Sequence, residues 1–250
     1  MRDKGLAAYI AELLGTFLLV FFVCSVVIIF VSAGPSAQFG SDFAVVGLVH
    51  AFLLFGLVLI FGGVSGGHFN PAVTVALAGL RRIDPFDAAV YILAQLSGGV
   101  LGALLARGLL VDEGRAVDYG ATAVSPALGG AFQGAIVEAL GTFVLVLAIC
   151  AAALGARSVK EWAPLVIGTT LGLLVMVLGP LTGGSFNPAR WFGPALVGDS
   201  FGDVWPYLVG PLVGAALAAA VFRLVIEAGE LEEPDTAPGK SDPAKPLTPR

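Results

Sequence analysis

Six stretches of this chain, at about residues 7–31, 43–63, 86–110, 131–155, 163–181 and 204–226, are long and apolar enough to cross a bilayer as helices. Composition agrees with that reading. Of the 250 residues 57% are hydrophobic and only 12% charged, whereas a soluble domain is about a quarter charged. So few charges cannot cover the surface of a soluble fold of this length. The expected class is an all-α membrane protein with six transmembrane helices.

Two shorter apolar blocks, near 70–80 and 187–197, each begin Asn-Pro-Ala and are too short to span. Beyond residue 227 the chain turns rich in proline and charge, and 227–250 reads as a disordered tail. The acidity behind the formal net charge of −5 sits largely in that tail, and no basic cluster suits nucleic acid. Cys24 and Cys150 lie inside apolar runs and read as buried inert thiols. The start, Met1-Arg2-Asp3-Lys4 followed by an apolar run and Val31-Ser32-Ala33, has the layout of a signal peptide. The run is too long for one and contains Glu12, so it is expected to remain as a span.

The chain repeats itself. Ala11-Glu12-Leu13-Leu14-Gly15-Thr16-Phe17 returns as Val137-Glu138-Ala139-Leu140-Gly141-Thr142-Phe143, and the Asn70 motif returns at Asn187. Cys24 and Cys150 stand at equal distances beyond the two glutamates. Three spans per half force the second half to enter the membrane from the opposite face. The result is an inverted repeat, about 5–110 and 131–226, whose two short helices approach the midplane from opposite sides. Arg2, Lys4, Arg81, Arg82, Arg157, Lys160 and Arg223 then share one side, while Arg107 and Arg115 fall on the other with several acidic residues. The positive-inside rule puts both termini in the cytoplasm.

Each short helix is introduced by the same kind of string, Gly66-Gly67-His68-Phe69-Asn70-Pro71-Ala72 and Gly183-Gly184-Ser185-Phe186-Asn187-Pro188-Ala189. Asn is a good N-cap, and proline fits the first helical turn, where its missing N–H is not needed. Glycines let the preceding chain pack closely. Irregular backbone at membrane depth is tolerated where it is buried in protein or lines a wet cavity. Two such loops meeting at the midplane imply a pore or a solute site.

Paired Asn-Pro-Ala motifs, six spans and an inverted repeat resemble the aquaporin (major intrinsic protein) family, over roughly residues 5–226. The resemblance implies a right-handed six-helix bundle with a pore in each subunit, assembled as a homotetramer in the lipid bilayer, in the plasma membrane. It implies a passive channel for water and small neutral solutes, with no enzyme activity, cofactor or metal. Asn70 and Asn187 would direct side-chain N–H donors at the pore centre from two abutting helix N-termini, whose dipoles repel cations and protons. Carbonyls of Gly66, Gly67, His68, Gly183, Gly184 and Ser185 resemble the family's acceptor ladder. Arg190, a charge deep in apolar sequence, is a functional candidate in its own right and resembles the filter arginine. The first repeat has Val73 at the matching position.

Glu12 and Glu138 are intramembrane acids, one per repeat. A proton relay is conceivable, but the preferred role is to accept N–H groups of the re-entrant loops where water cannot reach. His68 is expected to supply its carbonyl and line the vestibule. His50 matches the family's second-helix filter position, with a core histidine as the alternative. Gly98 with Gly102, Gly168 with Gly172, and Gly210 with Gly214 are close-packing pairs.

Two other classes share some of these features. A secondary transporter shares inverted repeats and broken helices, but normally needs ion-coupling groups that this midplane lacks. An intramembrane enzyme finds no His-Glu-x-x-His or comparable set. Within the family, Trp191 after Arg190 departs from both the Asp of glycerol-conducting members and the Ser of water-selective ones. Ala195 in Phe192-Gly193-Pro194-Ala195 resembles the water group, and Tyr207-Leu208 is mixed. The constriction is expected at His50, Val175, Gly184 and Arg190, a set similar to that of tonoplast intrinsic proteins. It implies water plus ammonia, hydrogen peroxide or urea, with a glycerol facilitator as the alternative.

Overall fold

In the computed structural model, residues 5–31, 41–156 and 158–229 are described. The N-terminal Arg2 and Lys4, the Ser32-Ala33 pair, Arg157 and the tail beyond 229 lie outside them. Among the described residues all regular structure is helical. The long helices are α1 (Leu6–Phe30), α2 (Ser41–Ser65), α4 (Pro85–Leu109), α6 (Ala131–Leu154), α7 (Ala163–Thr182) and α9 (Val204–Val221). The short ones are α3 (Pro71–Gly79), α8 (Pro188–Gly198) and the single-turn α5 (Val111–Arg115). A π-helical stretch, Phe222–Glu227, prolongs α9. Among the described residues six helices are long and apolar enough to cross a membrane, and they fall on the six apolar blocks of the sequence.

Helix boundaries follow local chemistry. Asp84 caps α4, its side chain accepting from Phe86 N–H ahead of Pro85 in the first turn. Asn70 and Asn187 cap α3 and α8 in the same way, each followed by proline. Gly183, at φ 77°, ends α7 in a left-handed turn that a β-carbon would strain.

The three extensive helix pairs are α1 with α4, α2 with α7, and α6 with α9. Each is closed by one of the glycine pairs picked out in the sequence. Gly98 and Gly102 lie on the backbone of Leu13 and Phe17; Gly168 and Gly172 on that of Ala51 and Gly47. Gly210 and Gly214 lie on Ala135 and Ala139, and a Cβ at Gly210 would stand 2.8 Å from Ala135 O. Such small residues let helices approach without a side chain between them, the packing that works where lipid removes any hydrophobic drive.

The short helices join the two halves crosswise. Helix α8 of the second half packs on α4 of the first, and α3 packs on α9 of the second more extensively than on α4. Each loop also plants a phenylalanine in the other direction. Phe69 and Phe186, both fully buried, fit against Gly15 and Gly141, the glycines of the repeated string. Both rings belong to residues of positive φ, 48° and 50°, a conformation that bulky residues adopt only when the surroundings fix it. Either Gly15→Ala or Gly141→Ala should therefore lower stability by about 1–3 kcal/mol, because the ring has nowhere to go. Thermal unfolding in detergent checks this, with Gly63→Ala, where a Cβ meets nothing, as the control expected to change little.

Candidate functional site

The site is built twice, once per repeat, from a carboxylate, a hydroxyl and three consecutive loop amides. In the first half, Gly67 N–H donates to Ser65 Oγ at 3.0 Å, His68 N–H to Glu12 Oε1 at 3.0 Å and Phe69 N–H to Glu12 Oε2 at 2.7 Å. Ser65 Oγ itself donates to Glu12 at 2.6 Å. The second half repeats the pattern. Gly184 N–H donates to Thr182 Oγ1 at 3.3 Å, Ser185 N–H to Glu138 Oε1 at 3.1 Å and Phe186 N–H to Glu138 Oε2 at 2.7 Å. Thr182 Oγ1 donates to Glu138 at 2.7 Å. Both carboxylates are fully buried, so every amide they take would otherwise face apolar protein unpaired.

A tyrosine fixes the end of each preceding span. Tyr91 Oη donates to Ser65 O and Tyr207 Oη to Thr182 O, each at 2.7 Å. The halves then diverge. Gln95 Nε2 donates to Glu12 Oε2 at 2.7 Å and to Thr74 Oγ1 at 2.9 Å, and His68 Nδ1 lies 3.1 Å from the same hydroxyl. At the matching places in the second half stand Pro211 and Trp191. Trp191 fills its space by stacking on Tyr207, with ring centroids 6.2 Å apart. Its departure from the family patterns is thus a packing substitution behind the site.

The two loops meet through their asparagines. Each Asn carbonyl caps its own helix: Asn70 Oδ1 accepts from Ala72 N–H, and Asn187 Oδ1 from Ala189 and Arg190 N–H. Each amide nitrogen crosses to the other half. Asn70 Nδ2 donates to Phe186 O and Asn187 Nδ2 to Phe69 O, both at 2.8 Å. From the sequence, Asn70 and Asn187 are expected to direct side-chain N–H donors at the pore centre. An NH2 group has two donors, so one of each is committed across the loop junction and one remains.

A cavity of about 630 Å3 runs past this junction. At one end it is bordered by Arg82, Lys160 and Glu161; Asn70 and Asn187 lie on its wall, and it reaches His50 and Arg190. Leucine, valine and isoleucine side chains make up much of the rest. Gly66, Gly67, His68 and Ser185 also line it, whereas Gly183, Gly184 and Val175 are not on its lining. Of the four residues expected at the constriction, two therefore border this cavity. Val175 and Gly184 instead adjoin each other: a Cβ at Gly184 would lie 3.5 Å from Val175 Cγ2. His68 is on the wall as expected, with its ring edge-on to Tyr91.

His50 Nδ1 is 2.8 Å from Val46 O. A carbonyl only accepts, so Nδ1 carries the hydrogen, and Nε2, which has no partner among the described residues, keeps its lone pair. Arg190 Nη1 donates to Gly120 O at 2.9 Å, and its Nε has no partner among the described residues. The site thus offers donors at its middle and, at one end, an acceptor beside a guanidinium. Sequence reasoning missed the roles of Ser65, Thr182, Tyr91, Tyr207, Gln95 and Gly120 at the loops. Extending the repeat comparison would have found the first four, which recur as Ser/Thr and Tyr/Tyr.

The sequence matches the family described as Major intrinsic protein over residues 2–222. Nodulin-26 of Glycine max is 38% identical, over 86% of this chain and 76% of that one. The glycerol uptake facilitator protein-like 6 of Lactiplantibacillus plantarum is also 38% identical, over 87% and 97%. Aquaporin TIP4-4 of Zea mays is 40% identical, over 88% and 87%. The X-ray structure of the aquaglyceroporin from Plasmodium falciparum shares the fold, with a TM-score of 0.77 and 24% identity, over 90% of this chain and 98% of that one.

If Glu12 and Glu138 act as loop anchors, Glu→Ala should orphan two amides at either position. Each unpaired buried group costs about 1–3 kcal/mol. Glu→Gln keeps one acceptor oxygen and should cost less. Thermal stability and yield of folded protein report the order; equal losses, with altered proton transport in a retained fold, would contradict anchoring.

Proposed function

The chain belongs to the major intrinsic protein family and is a passive membrane channel for small solutes; on that premise we propose that it conducts water together with at least one of ammonia, hydrogen peroxide and urea, and excludes protons and ions. The observation that carries this reading is the single cavity bearing both Asn70 and Asn187 on its wall. A water oxygen accepting from both amides turns its own hydrogens outward, which interrupts a proton wire. The N-termini of α3 and α8 bring their positive dipole ends to the same place and oppose cations.

The constriction is assigned to His50, Val175, Gly184 and Arg190. Val175 is apolar and Gly184 has no side chain, which leaves that side wide and weakly polar. Arg190 supplies donors and a positive charge, and His50 Nε2 supplies an acceptor. Relatives of nearly equal identity are named for glycerol uptake and as aquaporins, so identity does not choose the solute and the site chemistry must. Residues 1–226 are taken as the channel unit. It is assigned to the plasma membrane as a homotetramer, on the family resemblance, with the Arg82 end in the cytoplasm by its excess of basic residues.

Stopped-flow light scattering on proteoliposomes tests the reading. Water and at least one of ammonia, hydrogen peroxide and urea should equilibrate faster than in empty vesicles, with glycerol near background. With Arg190→Val, water flow should persist while sodium and proton leak rises. Passage of water alone, or an unchanged leak, would contradict the assignment.

A further inference from the structure

Arg190 is held by a loop, and something must hold the loop. Asp118, Tyr119 and Gly120 are consecutive residues of positive φ, at 45°, 53° and 86°. Two of them are not glycine, and such backbone persists only where its surroundings over-determine it. Gly120 is pressed onto α1, where a Cβ would stand 2.8 Å from Cys24 Cα. Asp118 is pressed onto α8, its carbonyl 2.6 Å from where a Cβ of Gly198 would be. Between them Tyr119 belongs to an apolar cluster with Ile28, Ala103, Ala106 and Val197, and the guanidinium of Arg107 lies over its ring, 4.9 Å from the centroid.

Arg107 has a second attachment. Its Nη1 donates to Val197 O at 2.8 Å, in the last turn of α8. Helix α8 is the element that carries Arg190, and the loop is the element that receives its side chain. One residue of α4 therefore grips both. The position of Arg107 also stands out by charge. It lies at the end of the molecule away from Arg82, Lys160 and Arg223, against the basic excess there. Its repeat counterpart, matched through Tyr91 and Tyr207, is Arg223 in the π-helical stretch after α9, and both arginines are exposed.

We propose that Arg107 is a positioning residue for Arg190: by bridging Tyr119 to the C-terminal turn of α8, it fixes the distance between the Arg190 backbone and the Gly120 carbonyl, and so the width of the constriction. The inference rests on Arg190 lining the constriction. A planar guanidinium is required, because it stacks on a ring and donates in its own plane at once; an ammonium does not reproduce that geometry.

The test measures the ratio of urea to water permeability in proteoliposomes for the native chain, Arg107→Ala, Arg107→Lys, Tyr119→Leu, Arg190→Val and Arg107→Ala/Arg190→Val. Arg107→Ala and Tyr119→Leu should each raise the ratio severalfold, and Arg107→Lys should recover only part of it. The double variant should match Arg190→Val, since Arg107 acts through Arg190. Tyr119→Leu and Arg107→Lys keep the test decisive if Arg107→Ala gives too little folded protein. An unchanged ratio in the Arg107 and Tyr119 variants overturns the proposal, as does a further undiminished rise in the double variant. An unchanged ratio in Arg190→Val alone overturns instead the assignment of Arg190 to the constriction.

Discussion

Backbone that leaves a helix at membrane depth finds no water, and the fold is organised around that fact. Each re-entrant loop presents three consecutive amides, and each set is met by one buried glutamate and one hydroxyl. Glu12 with Ser65 and Glu138 with Thr182 take them at 2.7–3.3 Å. Without these acceptors neither loop could be held in the interior, because an unpaired buried amide costs about as much as a lost hydrogen bond. Proton relay is not needed to explain the two acids; their oxygens are occupied by the loops.

Everything nearer the solute path follows from the anchoring. Fixing Phe69 and Phe186 by their amides drives their rings into the slots at Gly15 and Gly141. With the phenylalanines fixed, their carbonyls face the opposite half and receive Asn187 and Asn70. The asparagines in turn cap α3 and α8, which points both helix N-termini at one cavity. The same side chain thus joins the halves, starts a helix and leaves one amide hydrogen for a solute. Function is carried by few groups because the loop chemistry has already placed them.

The spans, both short helices and the glycine contacts were legible in the sequence, since apolar length, Asn-Pro and small-residue spacing are local signals. The role of Glu12 and Glu138 was legible for a different reason, as charge in apolar sequence demands a partner. Tyr91 and Tyr207 were not, because their partners are carbonyls far away in sequence, and a tyrosine in a span carries no mark of its target. Gly120 was invisible for the same reason, lying in a loop without periodicity. The asymmetry between Gln95 and Pro211, and between Thr74 and Trp191, could not be weighed from residue types alone. Their meaning lies in whether a polar or an aromatic group fills the space behind each loop.

The central claim is that two facing helix N-termini and two asparagine amides pass water while stopping protons. Proteoliposomes carrying a pH-sensitive dye and subjected together to an osmotic step and a proton gradient read both fluxes in one sample. Shrinkage much faster than in empty vesicles, with the dye signal decaying at the empty-vesicle rate, is the predicted result. Collapse of the proton gradient in step with water flow, or shrinkage no faster than in empty vesicles, would contradict the account.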